Sequence, residues 1–171
     1  DLTFIRVHKE AGSQLSEQCL SATINHGIKD SNQQYVIPAG QCVITDAGNL
    51  EQYNIIHCVL PNHKDKQQNK NKLIYLTNVI QNGIELAKAY GELEYDLKKV
   101  AFYPISTPIY GEVNEKDLKE FFKIITSNNY FKKVYFVFES EEEKEVYEKV
   151  FFKLNSSFLE KVINYFHKFE F

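Results

Sequence analysis

The chain is predicted to fold as an α/β protein, a three-layer α/β/α sandwich with a mixed central sheet. Three observations predict it. Short apolar runs at residues 42–45, 54–60, 100–105 and 134–138 have the length and the β-branched or aromatic content of strands. Stretches with apolar residues at helical spacing separate or follow them, and turn-forming residues mark the joints. Strands that alternate with helices of this length indicate a parallel or mixed sheet covered on both faces.

Taken in order, residues 2–24 read as one or two short helices, broken at Ala11-Gly12 and restarted at Ser13. A short apolar run follows at 33–39 and ends near Pro38. The first two strands are joined by Asp46-Ala47-Gly48-Asn49, residue types that tolerate positive φ, and Pro61 stops the second strand. Residues 62–72 are rich in Lys, Gln and Asn, lack apolar periodicity, and read as a mobile surface loop. Leu76, Val79, Ile80, Ile84 and Ala87 then recur at helical spacing. Continuous apolar character makes 100–105 a buried strand.

Leu118, Phe121, Phe122 and Ile125 mark a helix that starts near Asn114. Ser140 followed by Glu143 is a capping box for another, which runs through Val146, Tyr147, Val150, Phe151 and Leu154. A last aromatic helix is expected through Phe158, Leu159, Val162, Ile163 and Phe166. The chain thus divides into an α/β domain over 1–154 and a helical extension over 155–171, packed on that domain or on a partner.

Composition removes several function classes. The 171 residues fit one domain, and 43% hydrophobic with 25% charged residues is ordinary for a globular protein. A net charge of -3, with Lys and Glu interleaved, gives no electrostatic case for nucleic acid. No apolar run approaches the ~18 residues of a membrane span. Cys19, Cys42 and Cys58 have no metal-ligand spacing and cannot all pair internally; Cys42 and Cys58 read as buried, reduced thiols in an intracellular compartment. His8 and His57 read as satisfied structural histidines. Asn155-Ser156-Ser157 is a formal glycosylation sequon that fits a helix-capping turn better. With Asp1 first and no methionine, the chain reads as a processed product or part of a longer polypeptide.

Chemistry concentrates in Ser106-Thr107-Pro108-Ile109-Tyr110-Gly111, directly after a predicted strand. Small hydroxyl residues and a tight turn ahead of a helix make an anion cradle from backbone N–H groups. Pro108 has no N–H and restricts Thr107, so the cradle reads as kept in outline and altered at its centre. Ligands in such folds sit beyond the carboxyl ends of strands, which places 106–111 and 138–140 at one rim.

Val7-His8-Lys9-Glu10-Ala11-Gly12, then Gly40-Gln41-Cys42-Val43-Ile44-Thr45, Asn49-Leu50 and Tyr53-Asn54-Ile55-Ile56-His57 stand in an order that resembles a macro domain. Pro61, Ala101-Phe102-Tyr103-Pro104-Ile105-Ser106-Thr107 and Val134-Tyr135-Phe136-Val137-Phe138-Glu139 continue it, so the likeness covers about 4–154. The resemblance implies an α/β/α sandwich that binds ADP-ribose, with some family members hydrolysing ADP-ribosyl esters. It implies a ligand site made of Ser106, Thr107, Ile109, Tyr110, Gly111 and Phe138. Tyr110 would pack against the distal ribose and Phe138 against adenine.

Against the family pattern, no opening strand with its adenine-reading Asp and no Asn- and Gly-rich loop precede Asp1, Phe4 stands where hydrolytic members carry Asp, and Pro108 replaces a central Gly. The expectation is therefore a degenerate, non-catalytic module with a structural or protein-interaction role, with no cofactor, metal or catalytic residue. The alternative is an ADP-ribose or nucleotide-diphosphate binding module using 106–111, hydrolytic only if the missing loop is supplied in trans. Expected partners are ADP-ribose or an ADP-ribosylated protein, and a segment or chain completing the sheet, because unpaired inner strands each leave costly backbone orphans. No membrane is implied.

Overall fold

The computed structural model describes residues 2–50, 54–94, 99–105 and 107–154. The predicted extension at 155–171, its sequon and Ser106 lie outside these residues.

Two helices open the chain, α1 (Leu2–Ala11) and α2 (Ser13–His26), with Gly12 at φ 79° between them. A hairpin of β1 (Ile28–Lys29) and β2 (Tyr35–Val36) follows, which the sequence reading did not anticipate. Its strands are two residues long, too short for a period-2 signal. The Asp30 carboxylate fixes its turn by accepting from the N–H groups of Asn32 and Gln34 at 2.8 and 2.9 Å.

Next come β3 (Cys42–Asp46) and β4 (Asn54–Cys58), an antiparallel pair. Val43, Thr45 and His57 point to one face and Cys42, Ile44, Ile56 and Cys58 to the other. Cys19 of α2 reaches His57 on the first face, and Gly83 of α4 (Lys72–Glu94) lies against Cys42, Ile56 and Cys58 on the second. Helices therefore cover both sides of this pair, as a three-layer α/β/α arrangement requires.

The polar stretch at 62–72 is not a mobile loop. It holds α3 (Lys66–Lys70), whose first turn is capped by the Asp65 side chain accepting from Gln67 and Gln68 N–H, both at 2.9 Å. Beyond α4, β5 (Lys99–Phe102) pairs in parallel with β6 (Lys133–Phe136). Between these strands lie a single helical turn, α5 (Thr107–Tyr110), and α6 (Glu115–Ser127). Asn114 and Asp117 close a capping box at the start of α6, and α7 (Glu141–Leu154) ends the described chain.

One core runs through α4, α6, β6 and α7. Its centre is aromatic: the Phe122 ring meets those of Phe136, Tyr147 and Phe151 edge-on, with centroids 5.4, 6.0 and 5.0 Å away. Such pairs add about 0.5–1.5 kcal/mol each beyond the area they bury. That accounts for the Phe-rich helices without a cofactor.

The sheets contain both antiparallel and parallel pairs, the mixed character expected. Among the described residues, β4 pairs only with β3 and β5 only with β6. Ile55, Ile56 and Val100 are only half-buried, as befits strands with a free edge.

Candidate functional site

Residues 105–111 leave the carboxyl end of β5 and are pinned at both ends. At the start, the buried Ile105 N–H donates to the Tyr147 hydroxyl of α7 at 2.8 Å. The turn itself is α5, closed by Gly111 N–H on the Thr107 carbonyl at 2.8 Å. Pro108 sits in the first turn of that helix, where a backbone N–H has no intrahelical acceptor to reach, so the ring does no damage there. Its fixed φ favours the turn instead.

At the far end, Gly111 has φ 81°, and a Cβ there would stand 2.9 Å from the His63 Cβ. Both the His63 backbone N–H and its Nδ1 lie 2.9 Å from the Ile109 carbonyl, which accepts from them and so places a proton on Nδ1. The chain after β4 and the chain after β5 are thereby tied together. Lys72 strengthens the tie, donating to the Glu112 carbonyl at 2.8 Å and lying 3.3 Å from the Asp117 carboxylate. The same ammonium stands 4.6 Å from the centroid of the Tyr110 ring.

Each predicted site residue can now be placed. Thr107, Ile109 and Gly111 belong to this pinned turn, with Ile109 46% exposed. Ser106 is outside the described residues. Tyr110 is fully buried, so its ring is held inside the protein by Lys72 and does not stand open for the ribose contact that the resemblance implied. Burial, and then the Asp117 carboxylate beside it, push its phenol far above the ordinary range. Phe138 is also buried, with its ring edge-on to Tyr147 at 5.2 Å, rather than presented to a base. Tyr147 thus touches both halves of the predicted rim, Ile105 through its hydroxyl and Phe138 through its ring.

Sequence reasoning missed His63, Lys72, Asp117 and Tyr147 as the groups that build this region. Asp65, a capping residue three positions before Gln68, was the available signal that 62–72 is ordered. Pairings such as Lys72 with Asp117 arise only from the fold.

Of the two histidines read as structural, His57 is held between β3 and α2. His57 Nε2 lies 2.8 Å from Thr45 Oγ1 and 3.6 Å from Cys19 Sγ. Burial, and the neighbouring His8, lower its pKa and keep the ring neutral. An open depression of about 260 Å³ lies beside α2 and the end of β3, lined by Gln18, Asn25, Ile44, Thr45, Asp46 and Tyr90 among others; no described residue of the 105–111 turn lines it. Among the described residues no group of His, Cys, Asp and Glu could hold a metal ion, and no helix is long and apolar enough to cross a membrane.

A family model described as the macro domain matches residues 6–118. The chain belongs to the macro domain family. An O-acetyl-ADP-ribose deacetylase of Escherichia fergusonii is 32% identical over 151 residues, covering 84% of this chain and 75% of the relative. A macro domain-containing protein of Caldanaerobacter subterraneus is 30% identical over 152 residues, covering 87% and 78%. In three dimensions this macro domain is similar to that of Oceanobacillus iheyensis, solved as a variant with ADPR, at a TM-score of 0.71 and 25% identity over 88% of this chain and 76% of the other.

These relatives overturn the expectation of a degenerate, non-catalytic scaffold that is not an enzyme. Curated relatives at 32% identity over most of the chain are named as deacetylases, which are enzymes. That expectation weighed the departures from the family pattern, Phe4 and Pro108 among them, above the likeness of the whole chain; of these, Pro108 occupies a helical first turn that accommodates its ring.

Proposed function

We propose that this macro domain binds ADP-ribose and hydrolyses its O-acetyl ester. The identity with O-acetyl-ADP-ribose deacetylases over 84% of the chain carries the reading. The reaction adds water across the acetyl ester and releases acetate and ADP-ribose. In this reading the turn at 106–111 holds the diphosphate and the ribose next to it through Ser106, Thr107, Ile109 and Gly111, with Tyr110 contributing backbone only. Its support is the rigidity of the turn, because a site tied down before the ligand arrives loses little ordering entropy on binding. ADP-ribose carried on a protein side chain presents the same diphosphate and is the second ligand this turn would admit. Among the described residues β4 pairs only with β3 and β5 only with β6, which favours a further extended segment completing the sheet by backbone pairing.

The test is acetate release from O-acetyl-ADP-ribose by the purified protein, beside an Ile109→Glu variant. Ile109 is largely exposed, so the substitution should leave the fold intact while setting a carboxylate against the diphosphate. Turnover by the parent protein, with an affinity about tenfold weaker or worse in the variant, ~1.4 kcal/mol, is the expected result. A folded parent protein that neither binds ADP-ribose nor releases acetate overturns the reading.

A further inference from the structure

Cys42 and Cys58 stand directly opposite one another in the β3–β4 register, with their Sγ atoms 3.3 Å apart. Val59 N–H donates to the Gln41 carbonyl at 3.0 Å, which makes the adjoining 42/58 position a non-hydrogen-bonded pair. Opposing side chains approach most closely at such positions. Helix α4 lies over both sulfurs: a Cβ on Gly83 would stand 3.5 Å from Cys58 Sγ and 3.6 Å from Cys42 Sγ. The Val79 carbonyl, 3.2 Å from Cys42 Sγ, holds that thiol from the same side. Cys58 is exposed and Cys42 half-buried, so neither is the fully buried thiol that the sequence suggested.

We propose that Cys42 and Cys58 form a reversible redox couple that closes into a cross-strand disulfide when the protein meets a low-molecular-weight disulfide such as oxidised glutathione. Cys58 is the attacking group. It belongs to the more exposed residue of the pair, and the Cys42 S–H, which can turn either to the Val79 carbonyl or to Cys58 Sγ, favours the Cys58 thiolate when it takes the second position. The Cys58 thiolate attacks one sulfur of the oxidant, the oxidant's S–S bond breaks, and one glutathione leaves as the thiolate. Cys42 then gives up its proton and attacks Cys58 Sγ, expelling the second glutathione. Two protein thiols are oxidised, one glutathione disulfide is reduced to two thiols, and the two protons pass to the departing glutathiones. The sulfurs need to approach from 3.3 Å to about 2.0 Å. Cys19 takes no part, because it contacts His57 on the opposite face of the pair.

The experiment treats the native protein with excess oxidised glutathione, counts free thiols, and weighs the tryptic fragment 30–64, which holds both cysteines and no internal Lys or Arg. Expected is a fall from three free thiols to one, a fragment lighter by two hydrogens with no glutathione retained, and full reversal by dithiothreitol. A Cys42→Ser variant, checked for fold by circular dichroism, should instead retain one glutathione on Cys58. If that variant does not fold, the parent fragment mass decides alone. A parent protein that keeps all three thiols, or that stops at a glutathione adduct, overturns the proposal.

Discussion

The Tyr147 hydroxyl accepts the Ile105 N–H at 2.8 Å, joining the last described helix to the strand end that leads into the turn proposed to hold ADP-ribose. Both groups are buried, so neither has water to fall back on. Tyr147→Phe keeps the ring contacts with Phe121, Phe122 and Phe138 and strands only the amide. The expected loss is about 1–3 kcal/mol of stability, read from the urea midpoint, because an orphaned buried donor bears its full desolvation cost. ADP-ribose affinity should fall with it, since the turn loses its anchor.

Lys72 is the other anchor. Its partner Asp117 is almost completely buried, and removing one member of such a pair leaves an uncompensated charge. Lys72→Met should cost roughly 2–4 kcal/mol, below the top of the usual range because the ammonium itself is partly exposed. A Lys72→Met, Asp117→Asn double variant should recover part of that loss in thermal unfolding, as coupled neighbours do.

Tyr110 and Tyr147 should each weaken the fold at alkaline pH. Burial is the main cause that holds both phenols well above their ordinary value near 10. The sign follows from proton uptake: above pH about 10 the unfolded chain releases phenolic protons that the folded chain still keeps. Stability is therefore fully present below that pH and declines as pH rises toward the folded values, by at most about 1.4 kcal/mol per pH unit for each tyrosine. Among the described residues the Tyr110 hydroxyl, although beside Asp117, makes no hydrogen bond of good geometry. Tyr110→Phe should then be nearly neutral at pH 7, within about 1 kcal/mol, and should flatten the alkaline decline in urea melts recorded from pH 8 to 11.

Gly48 has φ 56°, and a Cβ there would collide with the Ala11 carbonyl oxygen. The turn after β3 is thereby pressed against the α1–α2 junction, where Asn49 N–H donates to that same carbonyl at 2.9 Å. Gly48→Ala combines left-handed strain with a backbone clash, and should lower stability by about 2 kcal/mol or more. Calorimetry of the variant checks it.

Most of the element order was legible because long apolar periods and capping residues are local signals. The break at Gly12, the strand starting at Cys42 and the helix opening at Asn114 all follow from such signals. The β1–β2 hairpin and α3 were not legible, being too short and too polar for periodicity, and both rest on one Asp side chain capping nearby amides. Within the site, the location of the turn at 106–111 was readable from its hydroxyl and glycine residues. The direction of its side chains was not: whether Tyr110 faces a ligand or the core depends on Lys72 and Asp117, far away in sequence. Pro108 shows the same limit, since its effect reverses once the turn around it is helical.

The most direct test of the ADP-ribose reading is an amide NMR titration of this protein with ADP-ribose. The account predicts dispersed peaks with shifts concentrated at Thr107, Ile109, Tyr110 and Gly111, extending to His63 through its bonds to the Ile109 carbonyl. A dispersed spectrum that stays unchanged at saturating ADP-ribose, or that shifts only around the Thr45–Asp46 depression, contradicts it.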